Sequence, residues 1–205
     1  MASRGTYSVG VERRQRIVDA ASTRFAADGY HRTAMTTIAS DVGISEGGLL
    51  HHFPNKRHLL LAVAEHRFHA AAQWWDSLPS DVAGLGTLDF MVDATRRYLA
   101  EPGLIQLVVL VSAEAADPSS PAHEVYAARY RTATAALGAR LRAGIERDGL
   151  DPHADYEAIA RECLAVSDGL QLQWVIADGD VDLVAGVQTH VARLSAALRR
   201  QAGPE

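Results

Sequence analysis

Apolar residues recur at helical spacing along nearly the whole chain, and no stretch shows the two-residue alternation of a half-buried strand. Ile17, Val18, Ala21 and Phe25 form one stripe, which predicts a first helix over Glu12–Ala27 closed by Asp28-Gly29. Ile38, Ala39 and Val42 mark a short second helix, and Leu49 and Phe53 mark a third, about Ser45 to His52. A long fourth helix follows, about Lys56 to Leu78, carrying Leu59, Leu60 and Val63 and then Phe68, Trp74 and Trp75. After a polar break over Pro79–Thr87, helices are expected at Leu88–Ala100, Leu104–Ala116, Ala122–Asp148, Tyr156–Ala177 and Val181–Arg200. Pro and Gly clusters separate them, notably Glu101-Pro102-Gly103 and Asp178-Gly179. The expected fold is all-α, with about nine helices. It divides into a disordered arm over residues 1–10, a three-helix domain over 11–62 and a larger helical domain over 63–205.

The stretch from Met35 to Lys56 carries the most specific signal. Thr36 or Thr37 is expected to cap the second helix. Gly43 stands where a sharp turn needs positive φ, Ile44 plugs the corner, and Ser45 can cap the third helix. The small side chain of Ala39 lets the two helices cross closely. This is the layout of a helix-turn-helix, whose second helix lies in the DNA major groove.

The run Gly47-Gly48-Leu49-Leu50-His51-His52-Phe53-Pro54-Asn55-Lys56 resembles the end of the recognition helix in the TetR family of transcriptional regulators, and residues 13–62 as a whole share the likeness. The resemblance implies that Thr36 and Thr37 lie against the phosphate backbone and that Lys56, beside the cap Asn55, contacts a phosphate. Ser45, Glu46, Gly47, Gly48, His51 and His52 form the exposed side of the recognition helix. Leu50 departs from the pattern: the family usually has a phosphate-bonding tyrosine there, whereas leucine can only pack on a thymine methyl or a sugar edge. The two glycines each cost about 1 kcal/mol relative to alanine in a helix. Either they let the helix approach the groove floor or they merely tolerate the turn.

Charge agrees with that placement. The net charge of −5 conceals eight Arg or Lys against five acids in residues 1–60, and twelve against twenty in the rest. The basic end is the end expected on phosphate. Arg13 and Arg14 either reach the backbone or are solvated surface groups, and Lys56 is the only lysine in the chain.

The last two helices carry more apolar surface than one chain needs. Val166, Leu170, Leu172 and Ile176 on one, with Val187, Val191, Leu194 and Leu198 on the other, suit a four-helix bundle between two copies. The alternative is a core helix buried within a single chain. Between these parts, a small-molecule site is expected to draw on Phe68, Trp75, Gln106, Val111, Glu114, Tyr126, Tyr130, Gln171 and Trp174, with Glu114 facing either a ligand or a partner such as Arg96 or Arg131.

Other chemistry finds little footing. One cysteine, Cys163, excludes an internal disulfide framework and sits on an apolar stripe as a buried, inert thiol. His58, His66 and His69 share a helix without a metal-ligand motif, so no metal and no cofactor are implied. No nucleophile elbow or phosphate-binding glycine loop marks an enzyme. The longest apolar run, Leu104–Ala113, falls short of the ~20 residues a bilayer span takes, and no signal peptide is evident, which suits a cytoplasmic protein without a membrane partner. The expected function is a homodimeric repressor that binds a palindromic operator in double-stranded DNA and is released by a small-molecule effector. The competing expectation is a helical enzyme or protein-interaction module with an incidental helix-turn-helix.

Overall fold

The structure, a computed structural model, describes residues 4–79 and 81–200. Among these, ten helices and no strand are present: α1 (Arg4–Asp28), α2 (Met35–Asp41), α3 (Glu46–His52), α4 (Lys56–Asp76), α5 (Leu85–Leu99), α6 (Pro102–Ala115), α7 (Pro121–Arg142), α8 (Ile145–Asp148), α9 (Tyr156–Ile176) and α10 (Leu183–Arg200). No single helix among the described residues is long and apolar enough to cross a membrane.

The chain folds as two compact units. The first runs through Ala71 and adds Pro102–His123; the second comprises Ala72–Glu101 and the chain from Glu124 onward. Both α4 and α7 therefore contribute residues to each unit.

In the first unit the expected stripe of α1 is buried: Ile17 and Phe25 are fully covered, beside Ile38, Leu49, Leu59 and Leu60. Gly29, at φ 83°, ends α1, and its N–H returns to the Phe25 carbonyl at 3.0 Å. α1 begins at Arg4, eight residues before the expected start, so the arm expected over residues 1–10 is helical from Arg4. Its first three residues lie outside the described residues. Extending a helix from a packed segment adds a hydrogen bond per residue without a new nucleus, which local sequence does not reveal.

α6 also belongs to this unit. Leu104, Ile105, Leu107, Val108 and Val111 are buried, and α6 packs on α1. Gly103 makes the approach possible: a Cβ there would stand 2.2 Å from the Ala26 carbonyl oxygen.

In the second unit Leu88, Val92, Leu137, Leu141, Tyr156, Ala160, Cys163, Val187, Val191 and Leu198 form one core. The single helix expected over Ala122–Asp148 is two, α7 and α8, broken at Ala143-Gly144. Close packing explains the break, since a Cβ on Gly144 would come within 2.1 Å of Gly84 Cα. Asp148, in α8, then accepts from the Leu85 N–H at 2.7 Å and so satisfies the start of α5. Asp155 caps α9, accepting from the N–H groups of Glu157 and Ala158 at 3.1 and 3.0 Å.

Candidate nucleic-acid interface

The turn between α2 and α3 is built from short-range bonds. Gly43 takes φ 70°, and its N–H reaches the Ser40 carbonyl at 3.1 Å, while the Ile44 N–H reaches that of Ala39 at 3.0 Å. Ser45 caps α3, its Oγ accepting from the Gly48 N–H at 3.1 Å. The N-cap of α2 is Ala34, with no side-chain cap; Thr36 and Thr37 stand inside the first turn, with Thr36 exposed. The expected threonine cap is therefore absent, which leaves their hydroxyls available to an outside partner. Thr33 instead closes the preceding loop, donating to the Gly29 carbonyl at 3.0 Å.

Leu49 and Phe53 root α3 in the core at 0% and 2% exposure. The opposite arc presents Glu46, Gly47, Leu50 and His51, all exposed, with Gly48 and His52 half-buried. His51 and His52 stand ring to ring at 5.7 Å. Burial pushes the His52 imidazole below its ordinary pKa, and the nearby charges of His51, Arg13 and Arg14 push the same way. Arg13 and Arg14 therefore flank the recognition helix, and Arg14 also lies 4.8 Å over the Phe53 ring. Arg24 grips Asp41 at the end of α2 with a two-pronged pair of 2.6 and 2.8 Å, fixing α1 against α2.

Lys56 is held in place. Its ammonium donates to the His31 carbonyl at 3.3 Å and lies 4.5 Å over the Tyr30 ring. Partial burial lowers its pKa. Asn55 caps α4, its Oδ1 accepting from the His58 N–H at 3.1 Å. The roles of Tyr30 and His31 escaped the sequence, because nothing local pairs a loop with a helix start 25 residues on.

The expected effector residues meet different fates. In the first unit Val111 is buried, Phe68 is half-buried, and Gln106 is exposed on the arc of α6 away from its buried positions. Glu114 accepts from Arg57 at 2.6 Å, not from Arg96, which pairs with Asp93, nor from Arg131. In the second unit Tyr126 is buried beside Tyr130 at 6.2 Å, and the Tyr130 hydroxyl donates to Asp168 at 2.7 Å. Arg129, missed in the sequence, stacks on both rings at 5.8 and 4.9 Å and pairs with Asp168 at 3.4 Å. Trp75 lies under the Arg140 guanidinium, Gln171 is buried and donates to Ser167, and Trp174 packs on Gly179.

The expected dimer stripe divides as well. Val187, Val191 and Leu198 face the second unit's own core, against which Leu170 and Leu194 also pack. An apolar stripe reports only that something covers it; here α10 packs on α5 within the same chain. Val166 is half-buried, while Leu172 and Ile176 on α9 remain 46% and 73% exposed. His66 lies near Asp19 and Gln15, at 3.9 and 3.3 Å.

A three-helix head presenting the second helix of a helix-turn-helix defines a DNA-binding transcription regulator. Residues 17–63 match the family described as bacterial regulatory proteins, tetR family, and residues 106–199 match the C-terminal region of BetI-type transcriptional repressors. The HTH-type transcriptional regulator TtgR of Pseudomonas putida is 25% identical over 214 residues, covering 96% of this chain and 99% of TtgR. The structure of Salmonella enterica GusR is 26% identical, with a TM-score of 0.67 over 93% of this chain and 95% of that one. A TetR regulator from Haloarcula marismortui shares the fold with a TM-score of 0.75 at 18% identity, over 92% of this chain and 98% of that one. The chain belongs to the TetR family of transcription regulators.

Proposed function

We propose that this regulator is a homodimeric repressor that binds a palindromic operator and is released when a small molecule occupies its second unit. The observation that carries the reading is the exposed arc of α3, rooted by Leu49 and Phe53 and flanked by Arg13, Arg14 and Lys56. In this reading Ser45, Glu46, Gly47, Gly48, Leu50, His51 and His52 face the groove. Thr36, Thr37 and Lys56 take backbone phosphates, which position the protein without reading sequence. The ammonium of Lys56 has three donors, and the His31 carbonyl uses one.

Exposed Leu172 and Ile176 support a dimer seam along α9, which would set two recognition helices against half-sites about one helical turn apart. Tyr126, Tyr130, Gln171 and Trp174 are the effector residues this reading keeps in the second unit, with Arg129 and Asp168 as their polar anchor. An effector releases DNA only if it favours the conformation that binds DNA poorly.

Selection of random duplexes by the purified protein, followed by sequencing, tests the reading. A palindromic consensus is the expected result. Enrichment of single, unpaired half-sites would overturn the dimer, and no enrichment at any salt concentration would overturn the operator.

A further inference from the structure

We propose that the recognition helix selects thymine by its 5-methyl group through Leu50, and that Gly47 bares the helix backbone so that this short side chain reaches the base. The inference rests on the operator-binding reading and names the DNA chemistry that reading leaves open.

Three observations converge on one arc of α3. The first is what the arc lacks. Its residues are Glu46 to His52, with neither arginine and lysine, which bracket guanine, nor asparagine and glutamine, which bracket adenine. The sequence readers left are Glu46, which can accept from a cytosine amino group, the two histidines, and Leu50. A lone exposed leucine is ordinary on a protein surface. At 39% exposure on a helix stripped of bidentate readers, this one is the only aliphatic group that can meet a base edge, and the thymine methyl is the apolar feature of the major groove.

The second observation concerns the glycines. Neither Gly47 nor Gly48 has the positive φ that would require glycine. A Cβ on Gly47 would meet nothing within 4 Å, and one on Gly48 would find ordinary contacts at 3.4 Å to Ser45 Oγ and 3.8 Å to Ile44 Cβ. The folded chain gives no steric reason for either, although alanine would favour the helix. For the exposed Gly47 the reason lies outside the chain.

The third observation is register. Gly47 precedes Leu50 by three residues, so the bare backbone and the leucine share one face. Leucine is shorter than arginine, and methyl contact requires carbon atoms about 3.5–4 Å apart. A helix that lacks a Cβ at Gly47 on that face can sit deep enough for it.

The test uses the duplex recovered by selection. Each thymine of a half-site is replaced in turn by uracil, which removes only the methyl group, and binding is measured for the wild type, Leu50→Ala and Gly47→Ala. The expected result is one thymine at which uracil weakens wild-type binding about fourfold, the scale of one buried methyl. Leu50→Ala should bind the two duplexes alike. Gly47→Ala should melt no lower than the wild type yet bind the selected duplex at least about tenfold more weakly, as a lost close approach predicts. Wild-type binding indifferent to uracil at every position, or a thymine preference kept by Leu50→Ala, overturns the inference while operator binding stands. Gly47→Ala with unchanged affinity overturns the role of Gly47. A selection that enriches no duplex overturns the operator reading and this inference with it.

Discussion

Arg57 Nε donates to Glu114 across 2.6 Å, and its guanidinium also reaches Ser120 at 3.3 Å, so the first turn of α4 is tied to the last turn of α6. The residue before Arg57 is Lys56, the proposed phosphate contact. Glu114 was expected to face either a ligand or a partner arginine such as Arg96 or Arg131; its partner is an arginine, Arg57, which ties α4 to α6. Hydrogen exchange should report the tie. Arg57→Met and Glu114→Gln should each speed exchange at both ends of the pair, and the double variant should go no further than either single one. The pair is too exposed for either change to lower the melting temperature much. Acceleration at one end only would show that the two helices are held by packing alone.

Glycines in this chain fall into two groups that substitution should separate. Gly103→Ala and Gly144→Ala each drive a Cβ into backbone, at 2.2 Å from the Ala26 oxygen and 2.1 Å from Gly84 Cα. Each should cost about 2–3 kcal/mol in chemical denaturation, with Gly144→Ala acting on the second unit. A loss below about 0.5 kcal/mol at either site would mean that the backbones part easily.

Cys163 is fully buried, its thiol pushed up to about 12 chiefly by burial, with Glu162 adding to the shift. It should resist a thiol-reactive disulfide reagent at pH 8 in the native protein and react at once in denaturant. Reaction at native pH within the mixing time would place the thiol at the surface. The sulfur also lies 3.7 Å from His190 Nε2.

Operator affinity should depend on pH through His52. Burial holds its pKa below the ordinary 6.5, so the free protein carries it mostly neutral at pH 7. Phosphate oxygens favour the charged form, so DNA binding should take up a proton and tighten as pH falls from about 7.5 toward 6. Folding alone runs the other way. A depressed histidine pKa favours the native state above the unfolded value, and that contribution is lost as pH falls through 6.5 toward the folded value. His52→Gln should flatten the pH dependence of binding. An unchanged slope in that variant would show that His52 is not the group that takes up the proton.

Because Lys56 is the only lysine, reductive methylation should label one side chain besides the α-amino group. Saturating operator should protect it, and Lys56→Ala should weaken all duplexes alike and reduce the salt dependence by about one phosphate. Equal labelling with and without DNA would mean that its contacts to Tyr30 and the His31 carbonyl are its whole role.

Much of the first unit was legible because its determinants are local. The stripe of Ile17, Val18, Ala21 and Phe25, the turn at Gly43 and the caps Ser45 and Asn55 each act within a few residues, and each stands where periodicity and turn chemistry place it. About nine helices follow from the same logic, and the tenth comes from the break at Gly144. That break depends on Gly84, 60 positions away, and no short-range pattern contains it.

What covers each apolar stripe was decided by tertiary structure. Val187, Val191 and Leu198 repeat at a spacing that serves a partner helix or a neighbour in the same chain equally well, and α5 proved to be the neighbour. The chain's charges show the same limit. Glu114 meets Arg57 and Asp168 meets Arg129 because folding brings together residues 57 and 39 positions apart. Helical periodicity and capping are written in neighbouring residues, so the sequence by itself determined the helices and the turn that presents α3. Burial and ion pairing depend on which surfaces meet, and only the folded chain decides that.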